Sequence, residues 1–134
     1  MEAIYYLVPI LLILAVVIYY ILKGSGSKSD PVLQQHYMKI TAETNTNDFN
    51  SLKNAIFELD KLLDRLLKNK KIKGETLGER LKNAGFLFNN EEYNRVWEAH
   101  KVRNILAHEV NPNIDLKILQ YNYKNLRQIL SKHV

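Results

Sequence analysis

The sequence predicts an all-α protein, in which an N-terminal transmembrane helix precedes a bundle of four to five helices. Three observations lead to this prediction. Residues 3–22 form an uncharged run rich in Ile, Leu and Val. After residue 24, no stretch of Val, Ile or Thr alternates with polar residues over the length of a strand. Apolar residues recur there at intervals of three and four, which is the period of a buried helix face.

The apolar run has the length of one membrane crossing. At a rise of 1.5 Å per residue, residues 3–22 span roughly 30 Å, the hydrocarbon thickness of a bilayer. A cleaved secretory signal is the alternative, but it would carry a positive n-region and a shorter apolar core. Here the only charged residue before the run is Glu2. Tyrosines lie within the run near its two ends, where aromatic rings favour the headgroup regions: Tyr5, Tyr6, Tyr19 and Tyr20. We therefore expect residues 1–23 to be an anchor, with the lipid bilayer as a partner through residues 3–22.

Basic residues lie only on the C-terminal side of this run. Lys23 and Lys28 follow it, so the positive-inside rule predicts a single-pass membrane localisation with the C-terminal domain in the cytoplasm. Residues 24–30, rich in Gly and Ser, predict a flexible linker, and residues 31–134 a single helical domain. The formal net charge is +5, a mild excess compatible with RNA or anionic lipid. The chain has no cysteine, which excludes disulfides and Cys-based zinc or redox sites.

Capping residues predict where the first helices of this domain begin. Asp30 and Pro31 are typical of a helix start, and this helix is expected to end at residues 41–43, before a loop over residues 44–47. Asp48 predicts a second start. The helix that follows carries the strongest apolar stripe: Leu52, Ile56, Leu59, Leu63 and Leu66. Lysines at its C-terminal end suit either the helix dipole or a phosphate-binding patch: Lys68, Lys70, Lys71 and Lys73.

Three further helices complete the predicted bundle. Residues 75–82 form a short helix that Gly85 stops, and Asn89 or Asn90 caps the next one. Pro112 interrupts the chain, and a last helix is expected from about Asn113. Its apolar positions have helical spacing: Leu116, Leu119, Tyr123, Leu126 and Leu130.

One polar segment, Trp97–Glu109, is the candidate functional site. The chain lacks a Gly-rich phosphate loop, the H-E-x-x-H and G-x-S-x-G motifs and any metal-ligand spacing, so neither a metal site nor a cofactor is predicted. On a helix His100, Asn104 and His108 share a face, and Arg103 lies beside them. A histidine moves protons near neutral pH and an arginine binds phosphate. The structural alternative is that His108 caps backbone carbonyls and Arg103 pairs with an acid such as Asp60 or Asp64.

The run Arg103–His108 resembles the R-N-x-x-x-H signature of HEPN domains, small all-α bundles found in RNases, toxins and defence proteins. The layout of residues 48–134 is similar to these domains, including Trp97 and the Ala99–Lys101 segment before the motif. This resemblance implies a metal-independent RNase that acts as a homodimer, with Arg103 stabilising the transition state and His108 transferring protons. Asn104, His100 and Lys101 are then the binding residues.

Three functions remain open from the sequence. The first is a membrane-tethered HEPN-like endoribonuclease in stress response or defence. The second is a non-catalytic module that binds a nucleotide, RNA or a protein partner through the same surface. The third is a structural bundle whose apolar face a partner covers. The sequence does not decide whether the chain is an enzyme, since function must be argued from the site and not from the fold.

Overall fold

Helices make up all the regular secondary structure in the computed structural model, which describes the backbone of residues 2–24 and 30–134 and the side chains of residues 6–21 and 30–134. No strand occurs in these ranges, so the all-α prediction is confirmed for them. In chain order the helices are α1 (Glu2–Gly24), α2 (Pro31–Glu43), α3 (Phe49–Asn69), α4 (Leu77–Asn83), a 3-10 turn (Gly85–Leu87), α5 (Asn90–His108) and α6 (Leu116–Leu130).

The predicted transmembrane anchor is wrong. Among residues 2–24 and 30–134, no helix is long and apolar enough to cross a membrane. This corrects the anchor assigned to residues 1–23 and the predicted single-pass membrane localisation with a cytoplasmic C-terminal domain. Most of the predicted linker, residues 25–29, lies outside the described residues.

The helix starts follow from side-chain caps, as the sequence predicts for α2, α3 and α5. Asp30 accepts a hydrogen bond from the Val32 amide, and Pro31 is the first residue of α2. Asp48 caps α3 in the same way. Asn89 caps α5 within a capping box, in which Glu92 accepts from the Asn89 amide in return. These caps satisfy amide groups that a helix start otherwise leaves without partners.

The last helix begins later than expected. We predicted a start near Asn113, but α6 begins at Leu116 because Asp115 is its cap and accepts from the Ile118 amide at 2.8 Å. The preceding residues are therefore a longer connection between α5 and α6. The short helix α4 likewise begins after Thr76, which forms a second capping box with Glu79.

Helix α3 is the central helix of the bundle and contacts α2, α4, α5 and α6. Its predicted leucine stripe is buried, and it forms one hydrophobic core with the inner faces of α5 and α6. Burial of such side chains is the main favourable term in folding. The fully buried side chains of the core include Leu33, Leu52, Ile56, Leu59, Leu63, Leu81, Val96, Leu119 and Leu126.

A buried arginine fixes the connection between α3 and α4. Arg80 is only 5% exposed, and its Nε donates to Asp64 on α3 at 2.8 Å. Its two terminal nitrogens donate to the carbonyl oxygens of Gly74 and Glu75. Gly74 has a φ of +145°, and a Cβ on it would lie 2.7 Å from the Arg80 amide nitrogen, so this position requires glycine. One guanidinium therefore positions the segment that leads into α4.

His133 makes the stability of the fold depend on pH. Burial lowers the pKa of His133, the nearby Lys70 lowers it further, and Glu92 opposes the shift only in part. The ring packs edge-on against Phe88, with centroids 5.4 Å apart. The unfolded chain therefore binds a proton here more readily than the folded chain does. We expect the unfolding free energy to be unaffected by this group above its ordinary pKa of 6.5 and to decrease as the pH falls below it.

Urea titrations across this range test the expectation. Replacing His133 with phenylalanine keeps a ring against Phe88 and is expected to flatten the pH dependence between about pH 7.5 and pH 5. The exposed Gln128 provides the control, since Gln128→Asn changes no titratable group and is expected to leave the slope in place. An unchanged slope in His133→Phe would assign the acid sensitivity to other groups.

Candidate functional site

An open groove lies between α3, α4 and α5. Its volume is about 530 Å³, and its walls come from α3, from the segment before α4 and from the middle of α5. The loop fixed by Arg80 forms the rim of this groove. The residues that line it include Asp60, Lys61, Asp64, Lys68, Thr76, Gly78, Arg80, His100, Arg103 and Asn104.

Four polar side chains form a closed ring at the base of the groove. Asp60 is 5% exposed, and its Oδ1 lies 2.9 Å from Nδ1 of His100. Nε2 of His100 lies 3.3 Å from Nδ2 of Asn104, whose Oδ1 accepts from Nη1 of Arg103 at 3.1 Å. The ring closes at Asp60, because Nε of Arg103 lies 3.4 Å from its Oδ2.

The partners in this ring assign the protons on His100. The Asn104 carbonyl oxygen faces a donor, the Arg103 guanidinium, so its amide nitrogen donates to Nε2 of His100. Nδ1 of His100 then carries the proton and donates to Asp60. A carboxylate partner of this kind fixes both the tautomer and the orientation of a histidine ring. Both nitrogens of the imidazole are therefore engaged, Nδ1 as the donor to Asp60 and Nε2 as the acceptor from Asn104.

Arg103 is held rigidly but keeps one edge available. Its guanidinium carbon lies 5.3 Å from the centroid of the Phe57 ring, a cation–π contact. Nε is buried against Asp60 with no well-aligned hydrogen bond, and Nη1 is taken by Asn104. Within the described residues, Nη2 makes no hydrogen bond and is not among the buried nitrogens without a partner. A fixed guanidinium with an open donor edge is suited to bind an anion.

A second carboxylate in the groove is neutralised by two cations. Burial alone would raise the pKa of Asp64, but hydrogen bonds from Lys68 and Arg80 outweigh burial and leave this pKa below its ordinary value. Lys68 lies 2.6 Å from Asp64. Asp60 and Asp64 are therefore both engaged by cations of the protein, whereas the third carboxylate that lines the groove, that of the exposed Glu75, has no ion-pair partner within the described residues.

The structure brings together three of the five residues singled out in the sequence. His100, Arg103 and Asn104 line the groove. His108 is the last residue of α5, is exposed, and has no hydrogen bond or ion pair within the described residues. Lys101 is exposed as well and does not line the groove. The pairing of Arg103 with Asp60 is the contact that the structural alternative named.

Sequence reasoning named Asp60 only as a possible partner of Arg103 and missed its contact with His100. Asp60 interrupts the buried stripe of α3, between Ile56 and Leu63, and a carboxylate at such a position requires a charged or donating partner. This polar residue on an apolar face is the signal that could have identified it. Thr76, Gly78 and Arg80 carry no comparable signal, because the chain brings them to the groove only through the folded loop.

No known protein family, no curated protein and no solved structure matches this chain. Within the described residues, no group of three His, Asp or Glu side chains is placed to hold a metal ion. The function is therefore argued from the groove itself.

Proposed function

We propose that this protein is a HEPN-like RNA-binding module, in which Arg103 binds a backbone phosphate of single-stranded RNA in the groove. The observation that carries the proposal is the fixed guanidinium of Arg103, which Asp60, Asn104 and Phe57 hold in place while Nη2 remains available. Because the side chain is already ordered, little conformational entropy is lost when it binds a phosphate.

The surroundings of Arg103 support a nucleic-acid ligand. The groove has the volume of a site for one nucleotide, and two of its three carboxylates, those of Asp60 and Asp64, are already paired with cations. The formal net charge of +5 favours association with a polyanion. The resemblance of Arg103–His108 to the HEPN signature points to the same residues.

Binding of labelled single-stranded RNA to the full chain, followed by fluorescence anisotropy, tests the proposal. Replacing Arg103 with alanine is expected to weaken binding about tenfold to a hundredfold, the loss expected for charge-assisted hydrogen bonds. Arg103→Lys is expected to recover little, since lysine lacks the planar fork that lets one edge face Asp60 and Asn104 while the other donates to a phosphate.

The matched control is Arg127→Ala, which removes the same charge from an exposed position on α6 outside the groove. It is expected to change the affinity less than about threefold, the scale of an exposed charge. An equal loss of RNA affinity in both arginine variants would mean that RNA binds through net charge alone. Unchanged affinity in Arg103→Ala would show that the groove is not the RNA-binding site.

A metal-independent endoribonuclease that acts as a homodimer is the second candidate. The observation in its favour is His108, an exposed imidazole at the end of α5 with no partner within the described residues. At 100° per residue, His108 points about 140° away from Arg103 around the helix. Two copies of the chain would therefore be needed to bring an Arg103 and a His108 to one phosphate.

The binding reactions also test for cleavage when EDTA is present. Products with 2′,3′-cyclic phosphate ends, absent in both Arg103→Ala and His108→Ala, would favour the ribonuclease. RNA that stays intact while it saturates the native protein would leave the binding module as the function.

A further inference from the structure

Three lysines lie in the connection between α3 and α4, beside the rim of the groove. Lys70, Lys71 and Lys73 follow Lys68, which lines the groove, and precede Glu75, which lines it as well. Because consecutive Cα atoms are about 3.8 Å apart, each of the three Cα atoms lies within roughly 12 Å of that of a groove residue. We call these three residues the lysine turn.

The backbone of the lysine turn is held by hydrogen bonds and by packing. The amides of Lys71 and Ile72 donate to carbonyl oxygens in the last turn of α3, at 2.8 and 3.0 Å, a pattern that closes the end of a helix. The Ile72 side chain packs against the hydrophobic core. The carbonyl oxygen of Lys73 accepts from Nδ2 of Asn83 on α4 at 2.9 Å. The three ammonium groups are therefore carried on an ordered backbone.

Lys71 occupies a backbone conformation that favours glycine. Its φ is +59°, and within the described residues it is the only residue other than glycine with a positive φ. Glycine is usual at this position after a helix, because a Cβ costs free energy there. The helix dipole accounts for cations at the end of α3, but not for a lysine where glycine is more stable, nor for Lys73 beyond the helix. Such a backbone outlier points to a function for the side chain.

The ammonium groups of the lysine turn have no carboxylate partner. None of the ion pairs within the described residues includes Lys70, Lys71 or Lys73. The carboxylate of Asp30, which Asn69 holds at this end of α3 at 2.8 Å, is engaged as the cap of α2. Unpaired cations on an ordered backbone are available to a polyanion.

We propose that the lysine turn is a second phosphate-binding surface, which binds phosphates farther along the strand whose first bound phosphate contacts Arg103. The inference rests on the proposed function and extends the site beyond the groove. A groove of about 530 Å³ holds one nucleotide, so a longer strand must leave it, and the lysine turn adjoins its rim. Cations that follow the backbone of a single strand add affinity without reading its sequence.

Lys71→Gly is the most informative variant, because its expected effects on stability and on binding have opposite signs. Glycine adopts a positive φ without a steric cost, so the urea midpoint of the full chain is expected to rise. The affinity for labelled oligouridylate, followed by fluorescence anisotropy, is expected to fall about fivefold, the upper end for one exposed ionic contact. The slope of log affinity against log salt concentration is expected to become shallower by about 0.7, the value of one phosphate contact with a single strand.

Three further variants complete the series. Lys73→Ala is expected to lower the affinity and the salt slope by similar amounts, whereas Lys71→Arg keeps the charge and is expected to bind RNA as the native protein does. Lys117→Ala is the matched control, because Lys117 is exposed near the start of α6, and the bond from Gln120 to the Thr46 carbonyl places that start at the opposite end of α3. It is expected to change the affinity less than about twofold.

The length of the ligand separates the lysine turn from the groove. The uridine dinucleotide has one phosphate, which is expected to bind at Arg103 alone. Its affinity, measured by competition with the labelled oligouridylate, is therefore expected to be equal in the native protein and in Lys71→Gly. A loss for the dinucleotide as large as for the longer strand would mean that Lys71 acts on the groove itself, and the second surface would be overturned.

The remaining outcomes distinguish this inference from the proposed function. Unchanged affinity and salt slope in both Lys71→Gly and Lys73→Ala would overturn the second surface, as would an equal loss in Lys117→Ala, which would assign the effect to net charge. The groove would stand in either case if Arg103→Ala still weakened binding. No binding of oligouridylate by the native protein would overturn the proposed function, and the second surface with it.

Discussion

Replacing Arg80 with methionine is expected to lower the unfolding free energy by about 3–5 kcal/mol, the cost of removing one partner of a buried ion pair. Methionine fills a similar volume but donates no hydrogen bond. The carbonyl oxygens of Gly74 and Glu75 then lose their donors, and Asp64 keeps only Lys68. Urea titration of the native and variant proteins measures the difference.

Lys82→Met provides the comparison for this experiment. Lys82 lies on the same short helix, is exposed, and has no hydrogen bond or ion pair within the described residues. Its replacement is expected to change the unfolding free energy by less than about 0.5 kcal/mol. If Arg80→Met were no more harmful than Lys82→Met, the connection between α3 and α4 would be stable without its guanidinium.

Replacing Asp60 with alanine is expected to destabilise the protein by a similar amount, about 3–5 kcal/mol, and to abolish groove-dependent RNA binding. The reason is that His100 and Arg103 both lose a carboxylate that is itself 5% exposed. Arg103 would remain half-buried with an unpaired charge, and its guanidinium would no longer be fixed. Stability is measured in urea, and binding by anisotropy at a temperature where the variant is folded.

A double-mutant cycle separates the energy of the contact between Asp60 and His100 from the cost of the cavity that each substitution leaves. For Asp60→Ala and His100→Ala, we expect a coupling energy of about 0.5–3 kcal/mol, as for residues in direct contact. A cycle between Asp60→Ala and the exposed Lys101→Ala is the control and is expected to give additive changes. Additivity in both cycles would mean that the contact between Asp60 and His100 contributes nothing to stability.

The sequence predicted the bundle well where local chemistry decides the structure. Asp30, Asp48 and Asn89 are caps whose side chains act on amides within three residues, so the pattern alone locates the helix starts. The stripe of α3 was equally clear, because its period matches a helix with one buried face. Composition was less informative in α1, where an apolar run predicted a membrane span that the described residues do not support.

The candidate site could be predicted only in part, because half of it comes from other elements. His100, Arg103 and Asn104 lie on one helix, so their proximity follows from helical spacing. Asp60, Thr76 and Gly78 reach the groove through the packing of α3 and through the loop that Arg80 holds. Such contacts between distant parts of the chain depend on the tertiary fold and leave no periodic pattern to read.

The central position of α3 also has a consequence for how this chain is made. Helix α2, which precedes α3, covers one part of it, while α4, α5 and α6 follow α3 in the sequence, and α6 is its most extensive partner. At typical rates of synthesis, on the order of several seconds pass between the emergence of α3 and that of α6 from the ribosome. At the start of that interval α2 is the only large native partner of α3 among the described helices that has already been made, so the part of the leucine face that α6 covers stays exposed to water until α6 emerges.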